Sequence, residues 1–360
     1  MRLILMPCIY CGAPADSREH WLPRALGAFR GLMTLQDRLC ESCNRALGQE
    51  LDEELVRTGP IGFLRAAHGL RGRPDHAEVN PFLYRASSGE QPTSMRMPAP
   101  EGEGTVLSHF RRDDEGRRIA SALRQIVVKS SDGRFEHVPF SPAWSADHLR
   151  RALRERGLEG AELVEVYLGE GETPDSEDVR RLLSEVFGAF KGAKVWYGLS
   201  DDLMVKHVEA KIGITRKYLR AIAKVGFHYF VAMSPSYRGV EREFDPIRRL
   251  IRNDEGDLRT FIEPTTEHFM PQLRQGFRPQ RPSHFFYVEV NAEHALARVQ
   301  FFVGPDDLPR PSLIRLGNSP SRLLARWMRS HWVKYYDQKT DGYDGEIEEM
   351  DVTPRRIILP

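Results

Sequence analysis

The residues of this chain whose types and spacing could do chemistry lie within its first 44 positions. Two Cys-x-x-Cys pairs, Cys8/Cys11 and Cys40/Cys43, hold every cysteine of the 360-residue chain. Each pair directs two thiolates at one point, and two pairs complete the four-sulfur shell that zinc prefers. The alternative is four unrelated buried thiols, which the paired spacing disfavours. We therefore predict a zinc site, and closed four-sulfur sites are usually structural.

An acid-His-x-x-Pro motif, Glu19-His20-Trp21-Leu22-Pro23, lies between the two pairs, and Asn44 follows Cys43 directly. Hydrolysis of a phosphodiester needs a base with a pKa near neutrality, and histidine is the natural choice. It also needs a hard cation, and magnesium prefers carboxylate, amide and water oxygens as ligands. Glu19, His20 and Asn44 could supply these groups. The alternatives are that His20 packs beside the zinc and orients a cysteine, and that Asn44 is a helix N-cap.

In order and spacing, these motifs resemble the HNH endonuclease family in its four-cysteine, zinc-containing form with a ββα-metal core. The resemblance covers about residues 8–55. It includes the Arg-Ala-Leu-Gly that follows Pro23, and the Gly48 and Asp52 that follow Asn44. The middle Asn of the family has no clear match, and Gln36 or Asp37 occupies that neighbourhood.

The resemblance implies a role for each matching residue. His20 would be the general base that activates water, while Glu19 and Asn44 would hold one divalent cation, commonly magnesium or manganese. Arg24 and Arg45 would lie near this cation, where they could clamp a phosphate or simply face solvent. The implied function is a metal-dependent endonuclease that hydrolyses phosphodiester bonds, with DNA favoured over RNA. The alternative is a non-catalytic, zinc-dependent module that binds nucleic acid or a protein.

Composition restricts the wider setting of this chemistry. The net charge is +1, with 41% hydrophobic and 29% charged residues, so bulk charge does not indicate a nucleic-acid partner and any basic surface must be local. No apolar run is long enough for a transmembrane helix. Paired cysteines without a secretion signal favour a reducing, cytoplasmic location. A protein partner or a homo-oligomer is left open.

The elements that must position these residues point to an α+β fold, in which a zinc-stapled ββα-metal module precedes a larger mixed region. We predict an HNH-like domain over 1–73, a loop-rich linker over 74–118 and an α+β domain of unspecified role over 119–360. Periodicity and turn signals predict the individual elements: helices near 44–56, 204–225, 244–252 and 321–332, a hairpin of 125–129 with 135–140, and strands at 285–290 and 297–303.

The basic residues of the predicted helix 204–225, including Arg220 and Lys224, could face DNA or solvent, and the solvated alternative is favoured. His228 is isolated in the sequence. We therefore interpret His228 as a core or surface residue rather than a ligand.

Overall fold

A computed structural model describes residues 6–68, 70, 93–98, 105–112, 118–141, 143–168, 177–188, 193–196, 209–234, 236–264, 283–303, 311–318 and 327–350. Over these ranges the chain mixes helices with antiparallel and mixed sheets, as the predicted α+β class requires. Among the described helices, none combines the length and apolar character needed to cross a membrane.

The strands are β1 (Arg18–His20), β2 (Phe29–Arg30), β3 (Thr34–Gln36), β4 (Thr93–Pro98), β5 (Thr105–Arg112), β6 (Arg118–Ala122), β7 (Gln125–Lys129), β8 (Phe135–Pro139), β9 (Glu162–Tyr167), β10 (Lys194–Trp196), β11 (Glu209–Ile212), β12 (Ile262–Pro264), β13 (Ser283–Val290), β14 (His294–Val303), β15 (Ser312–Asn318), β16 (Trp327–Thr340) and β17 (Tyr343–Met350). The helices are α1 (Glu41–Leu47), α2 (Glu53–Arg57), α3 (Gly59–His68), α4 (Ala146–Arg154), α5 (Glu177–Phe187), α6 (Arg216–Met233), α7 (Asp245–Asn253) and α8 (Leu258–Phe261). A π-helical turn, Gly48–Asp52, joins α1 to α2.

The chain divides into two compact units, Met1–Val79 with Gly213–Pro360, and Asn80–Ile212. These units differ from the predicted division at 73 and 118, because residues 213–360 form one unit with the cysteine-bearing segment. Strands β4 and β5 also fall inside the stretch for which composition predicts a linker.

The first unit is built on a seven-stranded sheet in the order β12-β15-β14-β13-β16-β17-β2. Its last strand comes from the N-terminal segment: β2 runs parallel to β17, with Phe29 opposite Gly345 and Arg30 opposite Glu346. The N-terminal segment therefore contributes an edge strand to a sheet made otherwise by residues 262–350.

Helix α6 packs between this sheet and the N-terminal segment. Thr215 caps it by accepting a hydrogen bond from the backbone N–H of Tyr218. Gly226 lets the helix approach the sheet, because a Cβ there would collide with Ile314 of β15. One continuous core joins α6 residues such as Phe227 and Phe230 to Trp21 and Leu35 of the N-terminal segment.

The second unit contains two four-stranded sheets, ordered β10-β9-β7-β8 and β11-β4-β5-β6. In the first of these, β10 runs parallel to β9, and the other neighbours are antiparallel. Helices α4 and α5 supply Leu149 and Leu182 to a core shared with Ile126 and Val166 of that sheet.

Several predicted elements are confirmed. The β7–β8 hairpin, the β13–β14 pair and α7 lie where the sequence predicts them, and residues 41–57 are helical throughout. Two predicted helices are wrong. The helix over 204–225 is displaced to α6, after strand β11, and 204–208 lie outside the described residues. Residues 327–332 form the start of β16 instead of a helix, while 321–326 are not among the described residues.

Candidate functional site

The four cysteines form one cluster, which we call the thiol cluster: Cys8, Cys11, Cys40 and Cys43. Their Sγ atoms all lie within 4.8 Å of one another, and the Cys11 and Cys40 Sγ atoms are 3.5 Å apart. Tetrahedral Zn–S bonds of about 2.3 Å require S–S separations of about 3.8 Å, so the donor set fits zinc. The predicted grouping is confirmed, and these thiols could hold a zinc ion.

A short antiparallel pair, β1 with β3, presents the acid-His motif. Glu19 is opposite Leu35, and His20 is opposite Thr34. Residues paired across a sheet share a face, and neighbours along a strand alternate between faces. Glu19 therefore points with buried Leu35 toward the core, and His20, the last residue of β1, is half-buried.

Asn44 lies in α1 and contacts the segment that leads into β1. Its side-chain amide nitrogen lies 3.4 Å from Ser17 Oγ and 3.5 Å from the carbonyl oxygen of Arg18. The N-cap of α1 is Cys40, whose Sγ accepts a hydrogen bond from the backbone N–H of Cys43. The N-cap alternative for Asn44 is therefore wrong, because the helix begins three residues earlier. Asn44 donates through its amide nitrogen, and no described residue donates a hydrogen bond to its Oδ1.

The Glu19 carboxylate belongs to a second group, which we call the carboxylate–lysine cluster: Glu19, Asp52, Lys224 and His228. Lys224 Nζ lies 2.7 Å from Glu19 Oε1 and 2.6 Å from Asp52 Oδ2, and the lysine side chain is only 2% exposed. Burial alone would lower the pKa of Lys224, but Asp52 and Glu19 outweigh it and hold that pKa above its ordinary value. A fixed ammonium group thus neutralises part of the charge of two carboxylates.

His228 extends this cluster toward the first cysteine pair. Its Nδ1 lies 3.9 Å from Glu19 Oε1, and its Nε2 lies 2.9 Å from the hydroxyl oxygen of Tyr10. Tyr10 is located in the sequence between Cys8 and Cys11. Burial, and then the Lys224 charge, hold the pKa of His228 well below its ordinary value, so the ring is neutral near pH 7. A neutral ring beside Tyr10 links the thiol cluster to the carboxylate–lysine cluster.

Several polar atoms around Glu19 are available to form further hydrogen bonds. Asp52 Oδ1 and His228 Nδ1 are buried and have no hydrogen-bond partner among the residues that the structure describes. The structure records no donor to Glu19 Oε2 from the residues it describes. Space is also open beside Gly48, four residues after Asn44, where a Cβ would meet no atom of another described element within 4 Å. The π-helical turn that begins at Gly48 carries Asp52 to Lys224, and such turns are frequent at functional sites.

The charge state of Asp52 leads to a pH-dependent prediction. Burial raises the pKa of Asp52 from 3.8 to about 6, against the opposing effect of Lys224. The raised pKa means that the folded state binds the Asp52 proton more tightly than the unfolded state does. The contribution of this proton to the free energy of unfolding is therefore full below about pH 4 and is lost as the pH rises through 6. Wild type should therefore lose about 1 kcal/mol of unfolding free energy relative to Asp52→Asn between pH 5 and 7. Denaturant titrations at several pH values measure this difference, and parallel pH profiles for the two proteins would contradict it.

The remaining predicted residues, Arg24, Gln36, Asp37 and Arg45, are exposed. Arg24 is exposed in a 3-10 turn, and Arg45 pairs with Glu41 at 2.5 Å, both side chains being largely exposed. Gln36 ends β3 opposite Arg18, and Asp37 follows in the left-handed region with φ of 55°. Both arginines are thus accessible, and their role as phosphate clamps stays a prediction.

Sequence reasoning missed the contribution of α6. Arg220, Lys224 and His228 are buried, so both alternatives for the two basic residues, a DNA-facing side chain and a solvated one, are wrong. Their spacing of four places them on one helix face. Arg220 pairs with Glu50 at 2.7 Å, one turn before the Lys224 contacts. The available signal was a row of polar residues on a helix that is otherwise largely apolar.

Comparisons with known proteins bring no relative: no protein-family model, no curated protein and no solved structure matches this chain.

Proposed function

We propose that the chain is a metal-dependent endonuclease of the HNH type, which hydrolyses phosphodiester bonds in nucleic acid, most readily DNA. The observation that carries the proposal is the attachment of Asn44 beside the Glu19-His20 strand. A helix fixed by the thiol cluster follows an antiparallel strand pair, which is the order of a ββα element. Asn44 Oδ1 and Glu19 Oε2 both lack a hydrogen-bond donor within the described ranges.

His20 and the carboxylate–lysine cluster have separate tasks in this proposal. His20 accepts a proton from water, whose oxygen then forms a bond to phosphorus while the bond from phosphorus to one sugar oxygen breaks. The departing oxygen takes a proton from solvent. A divalent cation, when bound by Glu19 and Asn44, would offset the charge that develops on the phosphate. Lys224, which also donates to Asp52, holds the Glu19 side chain in place through Oε1, which leaves Oε2 as the oxygen offered to the cation.

Replacement of His20 by alanine tests this proposal. Zinc-loaded wild type should nick supercoiled plasmid in magnesium or manganese, and His20→Ala should reduce the rate by about 10²–10⁴ because the general base is removed. Zinc content should stay near that of wild type, since His20 is not part of the thiol cluster. The control is His148→Ala, which removes an exposed histidine from α4 in the other unit. Undiminished nicking by His20→Ala would remove His20 from the mechanism.

A second candidate is a non-catalytic, zinc-dependent module that binds nucleic acid or a protein. The observation that favours it is the Lys224–Glu19 ion pair, because an ammonium group already neutralises the carboxylate that the nuclease would use. Manganese binding separates the two candidates. The nuclease requires a divalent-cation site that Glu19→Gln weakens without loss of zinc, whereas the binding module requires zinc alone.

A further inference from the structure

Helix α7 borders a pocket that neither the thiol cluster nor the carboxylate–lysine cluster uses. The pocket has a volume of about 520 Å³, within the range of small-ligand sites. Four arginines and one carboxylate are among its lining residues, which leaves an excess of three positive charges. We call it the arginine pocket, and its charged and aromatic lining consists of Tyr10, Arg242, Asp245, Arg248, Arg249 and Arg252.

Two of the arginines that line the pocket donate hydrogen bonds to the backbone of its wall. Arg248 Nη1 donates to the carbonyl oxygen of Ile9 at 2.6 Å, and Arg252 Nη1 donates to that of Tyr10 at 2.9 Å. Ile9 and Tyr10 are the two residues between the first pair of cysteines. The wall of the arginine pocket is therefore formed by the same turn that positions two thiols of the thiol cluster.

The other two arginines are left to bind a ligand. Arg242 and Arg249 are exposed, and neither side chain has a hydrogen bond or ion pair to another described residue. Asp245, the carboxylate of the lining, pairs with Arg248, and Asp254 pairs with Arg216 at 2.6 Å, while no carboxylate of a described residue lies within ion-pair distance of Arg242 or Arg249. The charges of Arg242 and Arg249 are consequently not paired with a carboxylate from the described part of the chain.

We propose that the arginine pocket binds a phosphate group of a nucleic-acid strand through Arg242 and Arg249. Guanidinium groups match phosphate oxygens with two parallel hydrogen bonds, and a concave site with several of them suits a compact polyanion. The choice of a nucleic-acid phosphate rests on the proposed function. The phosphate can be an internal diester of the strand or a terminal monoester, since the same recognition chemistry serves both.

DNA binding by the zinc-loaded His20→Ala protein tests the pocket without cleavage of the probe. A fluorescein-labelled 20-base-pair duplex is titrated by anisotropy at several salt concentrations, once with and once without 5′-phosphates. Adding Arg242→Gln and Arg249→Gln should weaken binding by about tenfold or more and reduce the salt slope by about two, one for each lost phosphate contact. The matched control is Arg259→Gln, which removes an exposed arginine of the same unit that does not line the pocket.

The outcomes separate the two phosphate sources and the two proposals. A loss that appears only with 5′-phosphorylated duplex identifies a terminal phosphate, and an equal loss with both probes identifies the backbone. Unchanged affinity and salt slope in the Arg242→Gln/Arg249→Gln protein, or no binding of either duplex, would overturn the pocket proposal even if wild type nicks DNA. Pocket-dependent binding by a wild-type protein that never nicks DNA would instead reject the nuclease and retain the pocket.

Discussion

Purified protein should carry about one zinc ion per chain, and its removal by a chelator should expose the N-terminal segment to trypsin. Zinc binding contributes about 10–16 kcal/mol to small zinc-dependent peptides, which is comparable with the whole stability of a typical domain. The thiol cluster joins two turns 32 residues apart in sequence, and Cys40 also caps α1. Without the metal we expect cleavage after Arg18, Arg30 and Arg38.

The second compact unit supplies an internal control for this experiment. Cleavage after Arg150 or Arg154 in α4 should not change, because no residue of the thiol cluster lies in Asn80–Ile212. Returning zinc should restore trypsin resistance, as measured by mass spectrometry of the fragments. A metal-free protein whose N-terminal segment resists trypsin as well as the zinc-loaded form would contradict a structural role for zinc.

Replacing Lys224 by methionine should lower the free energy of unfolding by about 3–5 kcal/mol, the usual cost of removing one partner from a buried ion pair. The substitution keeps most of the side-chain volume but leaves Glu19 and Asp52 close together without their shared cation. Burial of two unpaired carboxylates is costly, so one of them must take up a proton. Chemical denaturation of wild type and variant at pH 7 measures the loss.

Two further proteins show whether the loss arises from charge. Lys224→Met/Asp52→Asn should regain about 1–3 kcal/mol over the single variant, because one of the two carboxylates is removed. Lys334→Met, which breaks a partly exposed pair with Glu348, should cost about 1 kcal/mol or less. If Lys224→Met cost no more than Lys334→Met, the carboxylate–lysine cluster would have no importance for stability.

Local sequence was enough to predict the elements whose signals lie close together along the chain. The β7–β8 hairpin has a turn at Asp132 and Gly133 between two short apolar strands, and α7 has an apolar face repeated every three or four residues. The sequence predicts a helix over the start of β16, because the arginines at 322, 326 and 329 have helical spacing, and that prediction is wrong. Pairing with β13, about 40 residues away, determines the conformation of β16. The local sequence pattern does not indicate that pairing.

The candidate site likewise has one part that local sequence predicts and one part that it does not. The cysteine spacing predicts the thiol cluster because tetrahedral coordination of a metal restricts the positions of four thiols. Lys224 could not be predicted, since its partners Glu19 and Asp52 lie 205 and 172 residues away. A charged residue within a largely apolar helix indicates a buried partner, but only the fold identifies that partner.

These contacts make the N-terminal segment depend on the rest of its unit. Lys224 holds Glu19, Tyr10 contacts His228, and β2 completes the sheet at β17. The proposed nuclease centre is therefore assembled by α6 as well as by the thiol cluster. Changes in α6 should alter the centre even where they leave the cysteines untouched.

Plasmid nicking by the zinc-loaded protein tests the central claim most directly. Wild type should convert supercoiled plasmid to nicked circles when magnesium or manganese is added and should stop when EDTA removes the added cation. His20→Ala, with the same zinc content, should be slower by at least about a hundredfold. Equal rates for the two proteins, or no nicking by wild type with either cation, would contradict the claim that Glu19, His20 and Asn44 form a phosphodiesterase centre.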